Sequence, residues 1–532
     1  MKIKLMVNEA GAIRNGRFAF TDKLALLGEL LQNARRAGAT FINVDFDAEH
    51  GRLVVTDNGC GISDFQALLH LNASGWDEAV MAKDQPFGLG FSKVLYSSRH
   101  VHITSRGKQL SFNCEEALSQ AEMEVTDSDV PDDGLTVLRL EGVDIPDIKV
   151  AIARYVRGFP IEVALNGVPL PREHAEDQMD FVDTSIGRVH LAGRDSGQPS
   201  SGVALYIQGQ LLSRSSKDYY CMHDGLDVVH LDSSKFQARM PDRAELIDAN
   251  EQLVKITGAI RDEWRSHLLA MKAKLDPGAF IDRFFDVAHR HGLLDVFNDL
   301  ALLPKQACSV ISRYPTLVNE MEVYLDTPSH LSQEAVTSGA SRLACLVWFH
   351  RRDEESSISA MYARAAGLTL VDPSRVAPGH WALQGLRQLE DEPATATPTG
   401  ELKTFWFSGH HVSCEVVLCD SIRIDHGTDT VLLSDDALFW EGRILYPKGC
   451  TDGQVVEQVS NYCDEHDRFD ETACEEDFAN LAKQALLWRC PDPASMLAAL
   501  LRDLPEYPTL LGKRFMVTLP SDRGQCVVEQ VS

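Results

Sequence analysis

A chain of 532 residues exceeds what one hydrophobic core serves, so three or more domains are expected, each large enough to bury a core of its own. The formal charge of −27, from 51 basic against 78 acidic residues, argues against a surface built for nonspecific contact with nucleic acid or anionic membrane and leaves only a local basic groove open. Hydrophobic residues at 44% and charged residues at 24% are globular values and exclude a predominantly disordered chain. The opening MKIKLMVNEAGAIRNG has no apolar run of signal-peptide length, and no segment approaches a spanning helix, so a cytoplasmic protein without membrane contact is expected. Twelve cysteines, scattered without a CxxC pair, suit a reducing compartment as buried small hydrophobes.

Residues 24 to 39, LALLGELLQNARRAGA, carry Leu27, Leu30, Leu31 and Ala34 at the spacing of one helix face. Glu29, Asn33 and Arg36 share the opposite face, which an ordinary surface helix would expose to water. FINVDFDAEHGRLVVTDNGCGI follows as strand, turn at Gly51 and second strand, ending in a loop. Asp57 stands at that strand's end. Gly59 and Gly61 let the backbone approach a flat ligand while the carboxylate accepts from an exocyclic amine.

SGWDEAVMAKDQPFGLGF, beginning at Ser74 and Gly75, reads as a mobile segment running into a second glycine pair, Gly88 and Gly90 around Leu89. A helix then starts near Phe91. Amides and dipole at such a helix start suit phosphate oxygens, as does the close approach glycine permits. LTVLRLEG is a strand whose Thr136 offers a hydroxyl to a base.

The order of an acid-plus-amide helix, a strand-Asp-Gly loop, a mobile segment, a Gly-x-Gly helix and a Thr strand resembles the GHKL ATPase superfamily of gyrase, heat-shock chaperone, histidine kinase and MutL. Phe87 to Phe91 and Val101 to Ile103 match the FGxGF and V-x-V pattern of the ninety-kilodalton heat-shock chaperones of the HtpG type. The resemblance implies an α+β chain opening with a Bergerat-type α/β sandwich that binds ATP and Mg²⁺. It assigns Asp57 to adenine, Thr136 to a water-mediated adenine contact and Asn33 to the metal. Glu29 would orient and deprotonate the attacking water. Gly59, Gly61, Ser74, Gly75, Gly88, Leu89, Gly90 and Phe91 would line the nucleotide, with residues 72 to 86 as a lid. Two positions depart from the family pattern: Arg36 replaces an Asp, and Leu135 replaces a Gly before the Thr. Arg36 can reach phosphate or pair with Asp77 or Glu78 of the lid.

The nucleotide domain is expected to span 1 to 158 and a transducer-like middle domain 159 to 275. The middle domain's strands include IEVALNGVPLP, GRVHLAG and SGVALYIQGQLL, closed by a helix over 251 to 275 with Leu253, Ile256, Ile260, Trp264, Leu268, Met271 and Leu275 on its core face. In that reading Arg243 of MPDRAELIDANEQLVKI, or alternatively Lys235 of HLDSSKFQAR, is the cation that reaches the γ-phosphate from the second domain.

Residues 276 to 389 read as mostly helical, with His289 and His291 on a helix surface, and 390 to 400 as a Pro/Thr-rich linker. A β-rich module with two amphipathic helices, near 478 to 489 and 494 to 504, fills 401 to 532. Its His410, His411, Cys414, Cys419, Cys463 and His466 lack a regular four-ligand spacing and are read as strand packing. The acidic stretch NYCDEHDRFDETACEEDF is read as a solvated face, and the repeated VVEQVS as coincidence or a strand echo. The expected product is an ATP-driven conformational machine. Its alternatives are a MutL- or MORC-like clamp on nucleic acid and a nucleotide-sensing adaptor with negligible turnover. A protein partner is expected, the resemblance implies a possible homodimer, and nucleic acid is not expected.

Overall fold

The computed structural model describes residues 4, 8, 11, 13, 25–70, 76, 90–215, 225–239, 245–312, 324–346, 354–463, 468–490, 492–501, 507–520 and 525–531. The chain divides into two compact units, residues 1–293 and 294–532.

In the first unit, helix α1 (Ala25–Arg36) precedes strands β1 (Phe41–Asp47) and β2 (Arg52–Asp57). Helix α2 (Ser92–Ser97), strands β3 (His100–Ser105) and β4 (Lys108–Asn113), helix α3 (Cys114–Leu118) and strands β5 (Val125–Asp127) and β6 (Thr136–Glu141) follow. Helix α4 (Ile148–Val156) leads to β7 (Glu162–Leu165) and β8 (Val168–Pro169). One sheet runs β5-β4-β3-β6-β2-β1-β7-β8. Its core joins Leu27 and Leu31 of α1 to Ile42, Leu53, Val101, Leu140 and Ile152, each at most 1% exposed. The β7–β8 hairpin, expected to open the second module, instead extends this sheet through parallel pairing of β7 with β1. Its Asn166-Gly167 turn, with both φ positive, tethers it further, since Asn166 Oδ1 accepts from the Phe46 amide.

The second sheet of this unit, ordered β12-β11-β13-β10-β9, contains β9 (Val182–Thr184), β10 (Gly187–His190), β11 (Val203–Ile207), β12 (Gln210–Ser215) and β13 (Asp227–Leu231). Helices α5 (Ala249–Lys272) and α6 (Pro277–Arg290) complete the unit. Ile256, Ile260, Trp264 and Leu268 are buried along α5, at the expected spacing. His289 is exposed, as expected, whereas His291 is half-buried, tilted against the buried Trp264 ring with 5.8 Å between centroids.

The helical expectation for 276 to 389 holds for α6 and for the helices Gln333–Thr337 and Glu354–Ala365, and fails for the segments between them. Beyond α6 the chain forms short strands, Tyr324–Asp326, Cys308–Ile311, Thr369–Val371, Leu343–Cys345 and Arg387–Gln388, neighbours in that order. Such short strands complete too few alternations to leave a periodic signal. The expected linker is also ordered: Ala394–Thr399 is an edge strand paired with Ser421–His426. An edge position admits Pro398, whose ring cannot serve a central ladder. The four-stranded sheet of Lys403–Ser408, Ser413–Cys419, Arg443–Pro447 and Leu438–Trp440 and the helices Glu471–Arg489 and Pro493–Leu500 agree with the expected β-rich module.

The acidic stretch is not wholly solvated. Asp477 is fully buried, accepting from the His410 and His411 amides and from the Tyr462 hydroxyl. Cys414 and Cys419 are buried strand residues, their thiols pushed up to about 11 by burial, as packing rather than ligation requires.

Candidate nucleotide site

Helix α1 buries its leucine face and stops where the Gly38 φ of 73° permits a left-handed turn. The Ala39 amide then returns to the Ala34 carbonyl and Gly38 to Arg35, a Schellman closure that settles the orphan carbonyls. The following loop is bolted to this helix end, because the Cys60 amide donates to the Ala37 carbonyl at 2.8 Å. A Cβ on Gly59 would lie 2.6 Å from Ala37 Cβ and 2.9 Å from Asp57 Oδ1, so the loop closes only with glycine there. Asn58 fixes its other side, accepting from the Thr40 and Phe41 amides.

Antiparallel pairing sets Asp57 of β2 directly opposite Thr136 of β6. Asp57 Oδ1 accepts from the Gly59 amide at 2.9 Å, yet burial outweighs this bond and raises its carboxyl above the ordinary value. Thr136 Oγ1 lies 3.0 Å from Ser105 Oγ, which also accepts from the Ile62 amide at 3.0 Å. Ser105 was not singled out in the sequence. The detectable signal is its polar side chain at an inward register position of β3, where Val101 and Ile103 precede it.

Glu29 does not face open solvent: its side chain is 4% exposed and meets Lys93 Nζ at 3.4 Å. A Cβ on Gly90 would lie 2.5 Å from Glu29 Oε2, so the glycine brings the start of α2 onto the acid. Lys93 is the second missed residue, a polar side chain among the buried positions of α2. Phe91 packs half-buried against the core. Arg36 Nη1 donates to Asn33 Oδ1 at 3.2 Å, an arrangement the sequence left open. Lys235 Nζ donates to the Ser185 carbonyl at 3.0 Å and meets Asp232 at 3.1 Å. Ser74, Gly75, Gly88, Leu89 and Arg243, with Asp77 and Glu78, lie outside the described residues.

Glu29 and Gly90 thus meet at the start of α2, with Asn33 one turn further along α1, and Asp57, Gly59, Gly61, Ser105 and Thr136 gather at the ends of β2, β3 and β6. Asn33 Oδ1 is a hard oxygen with two lone pairs, and Arg36 uses one, so a magnesium ion fits this amide if phosphate and water supply its other ligands.

Residues 23–131 match the family model described as histidine kinase-, DNA gyrase B-, and HSP90-like ATPase. The first unit therefore carries a GHKL-type ATPase domain within a mixed α+β chain. Among solved structures, the chain is similar to the ATPase and transducer domains of DNA topoisomerase II from Balamuthia mandrillaris, at 17% identity and a TM-score of 0.28. That match covers 35% of this chain and 59% of the other. The ATPase region of Saccharomyces cerevisiae topoisomerase II gives 14% identity and a TM-score of 0.27, covering 35% of this chain and 61% of that one. The chain thus spans about three fifths of these neighbours. No curated protein matches it. Among the described residues no helix is long and apolar enough to cross a membrane.

Proposed function

We propose that the first unit binds ATP with Mg²⁺ and hydrolyses it, and that the chain is a conformational machine of the HtpG type acting on a protein partner. The carrying observation is Asp57 opposite Thr136, with a half-buried carboxyl at the mouth of a loop that only glycine can close. Asp57 would accept from the adenine amine, Ser105 and Thr136 would supply hydroxyls to the base, and the start of α2 would meet the phosphates. Asn33 would hold the metal, which shields phosphate charge when bound. Glu29 would take the proton of the attacking water once Lys93 releases it. Arg243, or Lys235 after leaving Asp232, would reach the γ-phosphate from the second sheet, and a homodimer would follow the family expectation.

Calorimetric titration of ATP tests the reading: the native protein binds and Asp57→Asn does not. Equal affinities would refute the assignment. A second reading, a nucleotide-sensing adaptor with negligible turnover, is favoured by the buried Lys93–Glu29 pair, which occupies the general base. The MutL- or MORC-like clamp draws no support from a charge of −27. Salt-sensitive, ATP-strengthened binding of duplex DNA would restore it.

A further inference from the structure

Two buried glutamines join the second sheet to the helix that carries Glu29 and Asn33. Gln210, 6% exposed at the start of β12, donates from Nε2 to the Gly28 carbonyl at 2.7 Å. Gln32, fully buried on α1, donates from Nε2 to the Gln208 carbonyl at 2.8 Å. Gly28 and Gln32 are one helical turn apart, and each immediately precedes a candidate site residue, Glu29 or Asn33. The β11–β12 hairpin therefore grips α1 beside the two side chains expected to meet water and metal.

The local sequence bears strain to make this contact. Gln208 and Gly209 adopt φ of 54° and 77°, the paired positive values of a tight hairpin turn, although glutamine is poorly suited to the first position. Gly209 is wedged so closely that a Cβ would lie 2.6 Å from Pro160 Cδ. On the helix side, a Cβ at Gly28 would meet Gln210 Nε2 and the Tyr155 ring, each at 2.9 Å. Glycine inside a helix costs roughly 0.5–1 kcal/mol relative to alanine, so the chain gives up helix stability where the hairpin enters. The same hairpin continues through β11, parallel to β13, into the loop that carries Lys235.

We infer that Gln32 and Gln210 are positioning residues that couple nucleotide at α1 to the second sheet. This rests on the ATP reading above. A displacement of α1 on nucleotide binding would reach β11 and β12 through two hydrogen bonds whose donors are buried, and a buried polar group left unpaired carries a desolvation cost.

Hydrogen exchange on the full chain tests the coupling, with and without a non-hydrolysable ATP analogue and Mg²⁺, in the native protein and in Gln210→Met and Gln32→Met. Methionine keeps side-chain length and removes the amide donor, and the two variants break the grip from opposite sides should one fail to fold. In the native protein the analogue should slow exchange in both 25–36 and 203–215. Each variant should keep the helix protection and lose that of the hairpin, with turnover down about 3–10-fold and ATP affinity within about twofold, as one or two lost hydrogen bonds allow. Hairpin protection that is absent in the native protein, or undiminished in the variants, overturns the coupling while leaving the ATP site intact. Absence of helix protection in the native protein overturns the ATP reading, and the coupling falls with it.

Discussion

Lys93 Nζ stands 3.4 Å from Glu29 Oε1 with both side chains 4% exposed, so the acid proposed to activate water is held by a cation from the helix that follows the second glycine pair. A buried pair of this kind resists the loss of one partner more than the loss of both, because the survivor keeps its desolvation cost without compensation. Lys93→Met should therefore destabilise the protein by about 3–5 kcal/mol, and the double variant Glu29→Gln, Lys93→Met should recover most of that loss in denaturant titration. Additive effects would mean that the pair is not coupled.

For Glu29 alone, Glu29→Gln should retain ATP affinity and lose turnover by on the order of 10²–10⁴, the worth of a positioned base. Hydrolysis at the native rate excludes the role. If the native protein itself turns over negligibly, the adaptor reading gains, and the Lys93 contact supplies its physical cause.

Asp57 sets stability against binding. Burial raises its folded-state pKa above the unfolded value, so its contribution is full below the unfolded pKa and is lost as pH rises through the folded one. Asp57→Asn keeps an oxygen for the Gly59 amide and removes the partly desolvated charge. The nucleotide-free variant should thus melt higher than the native protein at neutral pH, while its ATP affinity collapses because an amide can turn a donor toward the adenine amine. A variant that melts lower would show that the carboxylate is stabilising.

Much of this site was legible because its signals are local. Helical spacing separates Glu29 and Asn33 from the leucine face, and the glycines around Asp57 mark a loop that must pass close to its neighbours. Contacts between distant segments were not legible: Lys93 reaches Glu29 across 64 positions, and Gln32 reaches Gln208 across 176. The repeated VVEQVS shows the limit plainly, since the first four residues of its first copy lie in the 3-10 helix Gln454–Gln458 and the first five of its second form the strand Val527–Val531. The same side chains follow their surroundings, with Val455 and Val456 buried in the first copy and Val527 and Val528 exposed in the second.

Arg36 alters the metal side of the site. Its Nη1 donates to Asn33 Oδ1, the oxygen expected to face Mg²⁺, and places a positive charge beside the incoming ion. Arg36→Ala should lower the Mg²⁺ concentration needed for half-maximal ATP binding by about 3–10-fold, consistent with the roughly 1 kcal/mol interaction of two charges near 4 Å in water. Unchanged or weaker Mg²⁺ dependence on calorimetric titration would place Arg36 with phosphate instead of against the metal.

A buried carboxyl and a half-buried imidazole in the first unit give opposite pH dependences. Asp227, which accepts from the Ala192 amide and the Ser200 hydroxyl, has its carboxyl raised by burial to about 6. Its stabilising contribution is complete below the unfolded pKa of 3.8 and disappears as pH rises through about 6. His291, packed on Trp264, is lowered by burial to about 4, so its contribution is complete above the unfolded pKa of 6.5 and disappears as pH falls toward 4. In the native protein the two slopes oppose each other between about pH 4 and 6.5 and flatten the stability curve. Asp227→Asn preserves both hydrogen bonds, its oxygen on Ala192 and its amide on Ser200, and removes one slope. Stability above pH 7 should then rise by on the order of 2–3 kcal/mol, and the curve should fall steeply on acidification because only the histidine remains. His291→Leu should reverse the tilt, giving a protein that gains stability as pH falls from 6.5 toward 4. Denaturant midpoints measured across this interval decide the matter, and variants that keep the native curve would show that neither group governs its shape.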